Sequence, residues 1–350
     1  MPRTKDATPA VWFPSVRTGS GTDTFTERLA DALDRRGYRA QVSWLPHRAE
    51  YAPWSVPVPE CPAWANVVHA NSWLSTRFVP RGLPLVATVH LCVHETRSAA
   101  RRGVAQASYH RNWIRRQEER LLRRADVVTA VSAQAARDTA HAFPGIAPGV
   151  VHNGLADEAA WREPRKAREP GPFRLLYCGN WSLRKGVDML EPVMRALGDG
   201  FELLYTPDRD GGTAGHRLPP NARSLGRLAG AEALARAYRQ ADVLLFPSRL
   251  EGLPLVPIEA MACGLPVVAT DASSVTELVR HGVTGLIVPS EDAMALATAV
   301  RALRDDPALW MSMSGAARRR QAECFSEEAM LAGYLDAYRR AMERRGARTG

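Results

Sequence analysis

The chain predicts an α/β protein of two doubly wound lobes, each a parallel sheet flanked by helices. Three observations lead there. The 350 residues, 45% of them apolar, exceed what one ordinary core organises and suit two domains of roughly 150 to 200 residues. Short runs rich in β-branched residues alternate with helical patterns, and the runs are continuously apolar, as in strands covered on both faces. The scheme then repeats after "WREPRKAREPGPF", Trp161 to Phe173, a linker-like stretch with three prolines, mixed charges and no apolar period.

In the first half "ANVVHA", "PLVATVH", "ADVVTAVS" and "GVVHNG" read as buried strands. Between them, "TFTERLADALDRRG" is helical, with Phe25, Leu29 and Leu33 recurring every four positions and Gly37 as the stop. In the second half "FRLLYCG", "FELLYTP", "ADVLLFPS", "LPVVATD" and "GLIVP" are strands, most followed by a loop and a helical segment. The expected domains are 1–165 and 166–325. Residues 326–350, with Met330, Tyr334 and Tyr338 four apart, form a long amphipathic helix expected to pack across both lobes.

The five cysteines lie far apart with no paired spacing, so neither a disulfide framework nor a CxxC metal site is indicated, and a reducing cytoplasm is expected. The opening "MPRTKDATPAVWFPS" lacks the apolar core of a signal peptide, and no run approaches the roughly 20 apolar residues that span a bilayer. The net charge of +9 gathers in arginines at 97, 101, 102, 111, 115, 116, 120, 123 and 124, and again at 339, 340, 344, 345 and 348. The run is either a solvated helix face or, with Trp113, Ile114, Leu121 and Leu122, a surface for anionic lipid. Nucleic acid is not expected as a partner, since no zinc-finger spacing, RNP motif or recognition helix is present.

Ligands of open parallel sheets bind beyond the carboxyl ends of the strands, so the strand-to-helix loops should hold the chemistry. In "SRLEGLPLVPIEAMACGLPVVATD" the strand ends at Ser248, Pro254 suits the start of a helix, Glu251 lies in the loop and Glu259 more than a turn into the helix. A carboxylate beside a helix N-terminus can accept from the vicinal diol of a sugar, while the helix amides favour phosphate. In "LLYCGNWSLRKGVDML", Arg184, Lys185 and Gly186 bring two cations to another helix start, which suits pyrophosphate; by themselves they are also compatible with a basic surface turn. In "VRTGSGTDTFTER", Gly19 and Gly21 either present backbone amides to a substrate or make a tight turn.

Together these residues resemble glycosyltransferase family 4. Glu251 and Glu259 with "GLPLVPI" between them, then "AMACGLPVVATD", Glu277 and "HGVTGLIVP", are similar to its signature, as are "ADVVTAVS", "VVHNG" with Asn153, "GNWSLRKGVDML" and "RLADALDRRGYRAQV". The match is highly specific from Phe173 to Pro289 and looser in the first half. The resemblance implies the GT-B fold, two Rossmann-like lobes facing a cleft with the last helix crossing back to the first lobe. It implies a retaining transferase that takes a sugar from a UDP- or GDP-sugar and needs no metal or other cofactor. It assigns the diphosphate to Lys185 with Arg184, and the donor ribose to Glu259. The donor sugar and phosphate fall to Glu251 and the backbone of Gly252, Leu253, Pro254 and Leu255, with Gly19 and Gly21 also at the donor. His90, at the tip of "PLVATVH", is the histidine that reaches the transferred sugar. Two departures stand out: Asn180 where the phosphate loop often has arginine, and Pro254 where glycine is frequent, which removes one amide.

The acceptor, soluble or lipid-linked, is not legible. Rival readings weigh less. A nucleotide-sugar epimerase or a phosphorylase would share the fold, the latter with pyridoxal phosphate. A nicotinamide dehydrogenase lacks its G-x-G-x-x-G and ribose-binding acid here, and a purely basic binding module leaves the two glutamates unexplained. Asp208 and Asp210 in "PDRDGG" read as a surface turn. His90, Cys92 and His94 could share a strand face, without an evident fourth metal ligand.

Overall fold

The computed structural model describes residues 8–94, 110–156, 158–163, 171–208, 210–272 and 274–349. The chain divides into two units, residues 1–156 with 327–350, and residues 157–326.

The first unit is a six-stranded sheet of β1 (Val11–Val16), β2 (Ala40–Leu45), β3 (Val67–Asn71), β4 (Leu85–Val89), β5 (Val127–Ala130) and β6 (Gly149–Val150) in the order β2-β1-β3-β4-β5-β6. All its pairings are parallel. Its main helices are α1 (Gly21–Arg35), α2 (Arg115–Arg124) and α3 (Ala133–Ala142). The strands are apolar on both faces because both are covered. Val11, Phe13, Val67 and Val86 pack with Phe25, Leu29 and Leu33 of α1, while Trp12, Val68 and Ala87 pack with Leu121 of α2 and Phe143 after α3. Pro14 makes β1 hard to read as a central strand. It is tolerated because β1 pairs with β3 only at Val11 and Trp12, so Pro14 lies past the last pair.

The second unit repeats the plan with β7 (Phe173–Tyr177), β8 (Phe201–Tyr205), β9 (Ala222–Ser224), β10 (Val243–Phe246), β11 (Val267–Thr270) and β12 (Gly285–Val288), in the order β12-β11-β10-β7-β8-β9. Counted within the unit this is the 3-2-1-4-5-6 order of dinucleotide-binding sheets. Its longer helices are α4 (Leu190–Leu197), α5 (Gly230–Gln240), α6 (Leu255–Ala262), α7 (Ala293–Asp305) and α8 (Pro307–Cys324). Leu190 and Val193 of α4 and Leu296 and Val300 of α7 close one face over Leu175, Leu203 and Leu245.

The last helix, α9 (Glu327–Thr349), belongs to the first unit. Met330, Tyr334 and Tyr338 are buried there beside Phe25 and Val127, and Arg35 and Arg36 of α1 pair with Glu327 and Glu328.

Two expectations need correction. The first unit's body ends at Ala156, ahead of the expected 165/166 boundary, because the turn Ala159–Arg162 packs on α5: Arg239 donates to the Ala160 carbonyl and pairs with Glu163. The expected linker otherwise lies largely outside the described residues. "GVVHNG" is not a full buried strand: β6 is a two-residue edge pairing with both residues exposed.

Candidate functional site

The strand order of the second unit reverses between β7 and β10, so their carboxyl ends open a crevice at the topological switch point. From β7 the chain runs through Gly179 to a single turn, Leu183–Lys185, and then Gly186. From β10 it runs through Pro247 and Ser248 to Glu251 and α6. The two loops are stitched together. Arg249 N donates to the Arg184 carbonyl at 2.9 Å, Ser248 Oγ lies 3.3 Å from the same oxygen, and the Arg184 guanidinium donates to the Leu250 carbonyl at 2.9 Å. Gly186 has φ +73°, and a Cβ there would stand 2.0 Å from the Pro247 carbonyl oxygen, so only glycine fits.

This stitching brings Lys185 Nζ 2.5 Å from Glu251 Oε1, which also accepts from Ser248 Oγ at 2.5 Å. Arg184 stands 3.5 Å from Oε2. Burial would raise the Glu251 carboxyl, but the charges and hydrogen bonds of Lys185, Arg184 and Ser248 outweigh it and hold the group below the usual carboxylate range. The result is a buried anion with two cations at one strand tip. Behind it, Arg249 bonds both oxygens of Asp188, at 2.5 and 2.7 Å, and both of Glu291, at 2.7 and 2.6 Å. Those bonds push its guanidinium pKa up and pin the 183–188 turn to the loop after β12.

Glu259, on α6, is buried and accepts from Tyr238 OH at 2.9 Å. Burial first and the Glu259 charge second raise the Tyr238 phenol, which therefore stays a neutral donor. Cys178, at the end of β7, is pushed up to about 11 by burial and the same carboxylate.

In the first unit the order changes between β1 and β3, and the glycine loop follows β1. Asp23, in the first turn of α1, draws the loop inward: its carboxylate accepts from Thr18 N at 3.0 Å and Gly19 N at 2.6 Å. Those two amides therefore turn towards the protein, and Ser20 caps α1 by accepting from Thr22 N. His90 follows β4, its Nε2–H donating to Asn71 Oδ1 at 3.0 Å and its ring meeting Phe25 edge-on at 4.6 Å. The residue as a whole is half-buried, and burial lowers the imidazole pKa to about 3.

His69, deeper under α9, bonds Tyr338 OH at 2.8 Å and Thr88 Oγ1 at 2.7 Å. Burial and then the neighbouring His90 lower it to about 3 as well. Both histidines are neutral when folded and titrate near 6.5 when unfolded. The unfolded chain thus binds more protons between these values, and stability falls as pH drops from about 6.5 towards 3, by up to about 1.4 kcal/mol per pH unit for each group. Urea unfolding of His69→Asn should give a flatter slope over that window; a slope equal to wild type would remove His69 from the account.

The structure thus brings Arg184, Lys185 and Glu251 into contact, sets Gly252 to Pro254 between Glu251 and α6, which Leu255 begins, and holds Glu259 on a separate partner. His90, Gly19 and Gly21 lie at strand tips of the other unit. Sequence reasoning missed Ser248, Tyr238, Arg249, Asp23 and Asn71. Asp23 carried a signal, an acid in the first helical turn after the glycines, whereas Tyr238 carried none.

The apolar part of the expected lipid surface is overturned. Ile114, Leu121 and Leu122 are buried, at 4%, 0% and 1% exposure, so they face the core and cannot enter lipid. Trp113 is fixed to the Glu50 carbonyl. Part of the basic run, 95–109, lies outside the described residues. Asp210 accepts from Gly212 N within its turn, and His94 bonds Glu118 at 2.7 Å. Among the described residues no helix is long and apolar enough to cross a membrane.

Comparison with known proteins assigns this architecture to a class. Residues 172–306, which hold Lys185, Glu251 and Glu259, match the family described as glycosyl transferases group 1, and residues 63–158, which hold His90, match glycosyltransferase family 4. The chain is 31% identical over 294 residues to a glycogen synthase of Mycobacterium tuberculosis, covering 78% of this chain and 68% of that one. It is 33% identical over 319 residues to D-inositol 3-phosphate glycosyltransferase 1 of Catenulispora acidiphila, covering 79% and 73%. Among solved structures, sucrose-phosphate synthase from Thermosynechococcus elongatus superimposes with TM-score 0.75 at 20% identity, over 96% of this chain and 100% of that one. Anabaena HepE in complex with UDP gives 0.70 at 17%, over 94% and 98%; at such identities these likenesses speak to the fold. The fold is GT-B and the protein is a glycosyltransferase. The chain belongs to glycosyltransferase family 4.

Proposed function

We propose that the protein is a retaining transferase that moves a sugar from a nucleoside diphosphate sugar, UDP- or GDP-linked, to an acceptor of polysaccharide, lipopolysaccharide or glycoconjugate synthesis, soluble or lipid-linked. The observation that carries the reading is the Lys185–Glu251–Arg184 cluster at the β7/β10 switch point, with Glu259 on the adjoining helix. Departure of the leaving group puts negative charge on the diphosphate, and fixed cations beside helix amides stabilise that charge with little reorganisation. The Lys185 ammonium has three donors, so it can keep Glu251 and also meet a phosphate oxygen. Glu259 offers a charged acceptor to the ribose diol, and Glu251 and His90 are assigned to the transferred sugar. In this reading the counter-charge comes from side chains and a chelator leaves turnover unchanged. HepE has been solved with UDP-glucose, which supports testing uridine first.

The test is thermal unfolding with UDP, GDP, ADP, CMP and NAD, each with chelator. A ligand at 100 times its dissociation constant adds about 2.7 kcal/mol. One diphosphate should stabilise the wild type, have no effect on Lys185→Ala and have a reduced one on Glu259→Gln. Stabilisation by NAD alone, or by none of the five at saturation, would defeat the reading.

A further inference from the structure

We propose that the first unit carries a second anion site, for a phosphate-bearing ligand, at the amino ends of its strands. Arg77, Arg81, Arg120, Arg123 and Arg124 line a groove of about 840 Å³, and among the described residues no acidic side chain lines it. That volume suits a phosphorylated headgroup or a small polyanion.

Its position separates it from the strand tips that carry His90. The groove sits where the chain enters β4 and β5: Arg124 donates to the Val79 carbonyl at 2.8 Å, Arg345 of α9 donates to the Arg81 carbonyl, and Asp126 N donates to the Leu85 carbonyl at 2.9 Å. His90 follows the other end of β4, about 17 Å along five residues of strand.

The charge around the groove is not balanced locally. Arg77, Arg81 and Arg120 are exposed and have no carboxylate partner among the described residues. Arg123 pairs with Glu119 at 2.7 Å. Arg124 is held by backbone carbonyls, and burial, then the charges of Arg345 and Arg81, lower its pKa. The acid at this end, Asp126, has no exposed side-chain surface and already serves Leu85 N at 2.9 Å, Arg348 at 3.1 Å and Arg345 at 3.8 Å. Two segments, 75–81 and 117–124, thus converge guanidinium groups on one concavity, at a cost in like-charge repulsion that a bound anion would relieve. The planar guanidinium fork matches phosphate oxygens in pairs, and Thr76 and Gln117, also in the lining, add neutral donors.

The full chain is tested with two probes at about 0.1 M salt, where exposed charges still act over about 10 Å. One is flotation with phosphatidylcholine vesicles, with and without phosphatidylglycerol; the other is calorimetric titration with tripolyphosphate. The wild type should bind at least one of them. The surface variant Arg77→Ser/Arg120→Ser should weaken that binding about 30-fold while keeping the thermal shift given by the nucleoside diphosphate. Lys185→Ala, which alters the other unit's site, should leave the groove's binding in place. Binding confined to anionic vesicles assigns the ligand to a lipid headgroup, and binding confined to tripolyphosphate assigns it to a soluble phosphate. Wild-type affinity in the double variant, absence of binding to either probe, or loss in Lys185→Ala alone would overturn the proposal.

Discussion

Lys185→Ala is expected to lower the turnover number by about 10²- to 10³-fold, the usual scale for removing one fixed group that stabilises developing negative charge. It should also destabilise the second unit. Lys185 stands 2.5 Å from Glu251, and the carboxylate is only 6% exposed, so the substitution leaves a buried anion with Arg184 at 3.5 Å and a serine hydroxyl. Breaking one side of such a pair costs about 3–5 kcal/mol, less here because Arg184 and Ser248 remain. The two effects separate in Lys185→Ala/Glu251→Gln. Neutralising the orphaned acid should restore most of the stability and none of the turnover, because the cation facing the diphosphate is still missing. Steady-state kinetics and urea unfolding of the two variants check this; recovery of turnover in the double variant would show that Lys185 serves only to neutralise Glu251.

The other large effect is expected at Gly186. An alanine there must take up φ +73° and place its Cβ 2.0 Å from the Pro247 carbonyl oxygen, a backbone atom at the end of β10. Left-handed strain and overpacking each cost about 1–3 kcal/mol. Gly186→Ala should therefore lower the melting temperature of the second unit by about 10 °C. It should also weaken nucleotide binding, because separating the loops breaks the bond from Arg249 N to the Arg184 carbonyl. Gly37→Ala is the control: its φ is +80° but nothing lies within 4 Å, so strain acts there without the clash. Equal losses in the two variants would mean that the contact with Pro247 is unimportant.

Much of this was legible in the sequence because it depends on local order. Continuous apolar runs such as "VLLF" and "LVATV" declare strands covered on both faces, and the loops that follow them are where parallel sheets bind ligands. Arg184 and Lys185 after one strand, and Glu251 and Glu259 after another, could therefore be nominated from position alone. The period of four through Met330, Tyr334 and Tyr338 likewise identified the buried face of α9.

Tertiary structure decided what depends on which strands become neighbours. β7 and β10 are far apart in sequence, and only the sheet order makes their tips adjacent, converting two separate loops into the Lys185–Glu251 pair. The same adjacency supplies Ser248 as a donor to Glu251, and Arg249 as a pin between Asp188 and Glu291. Tyr238 reaches Glu259 from a helix of unrelated sequence. Packing also reassigned roles that charge and hydropathy left open: Ile114, Leu121 and Leu122 went to the core, and the arginines beside them gathered around a groove at the far end of the sheet. Periodicity is a one-dimensional signal and survives in the sequence; juxtaposition of distant strand tips is created by the fold.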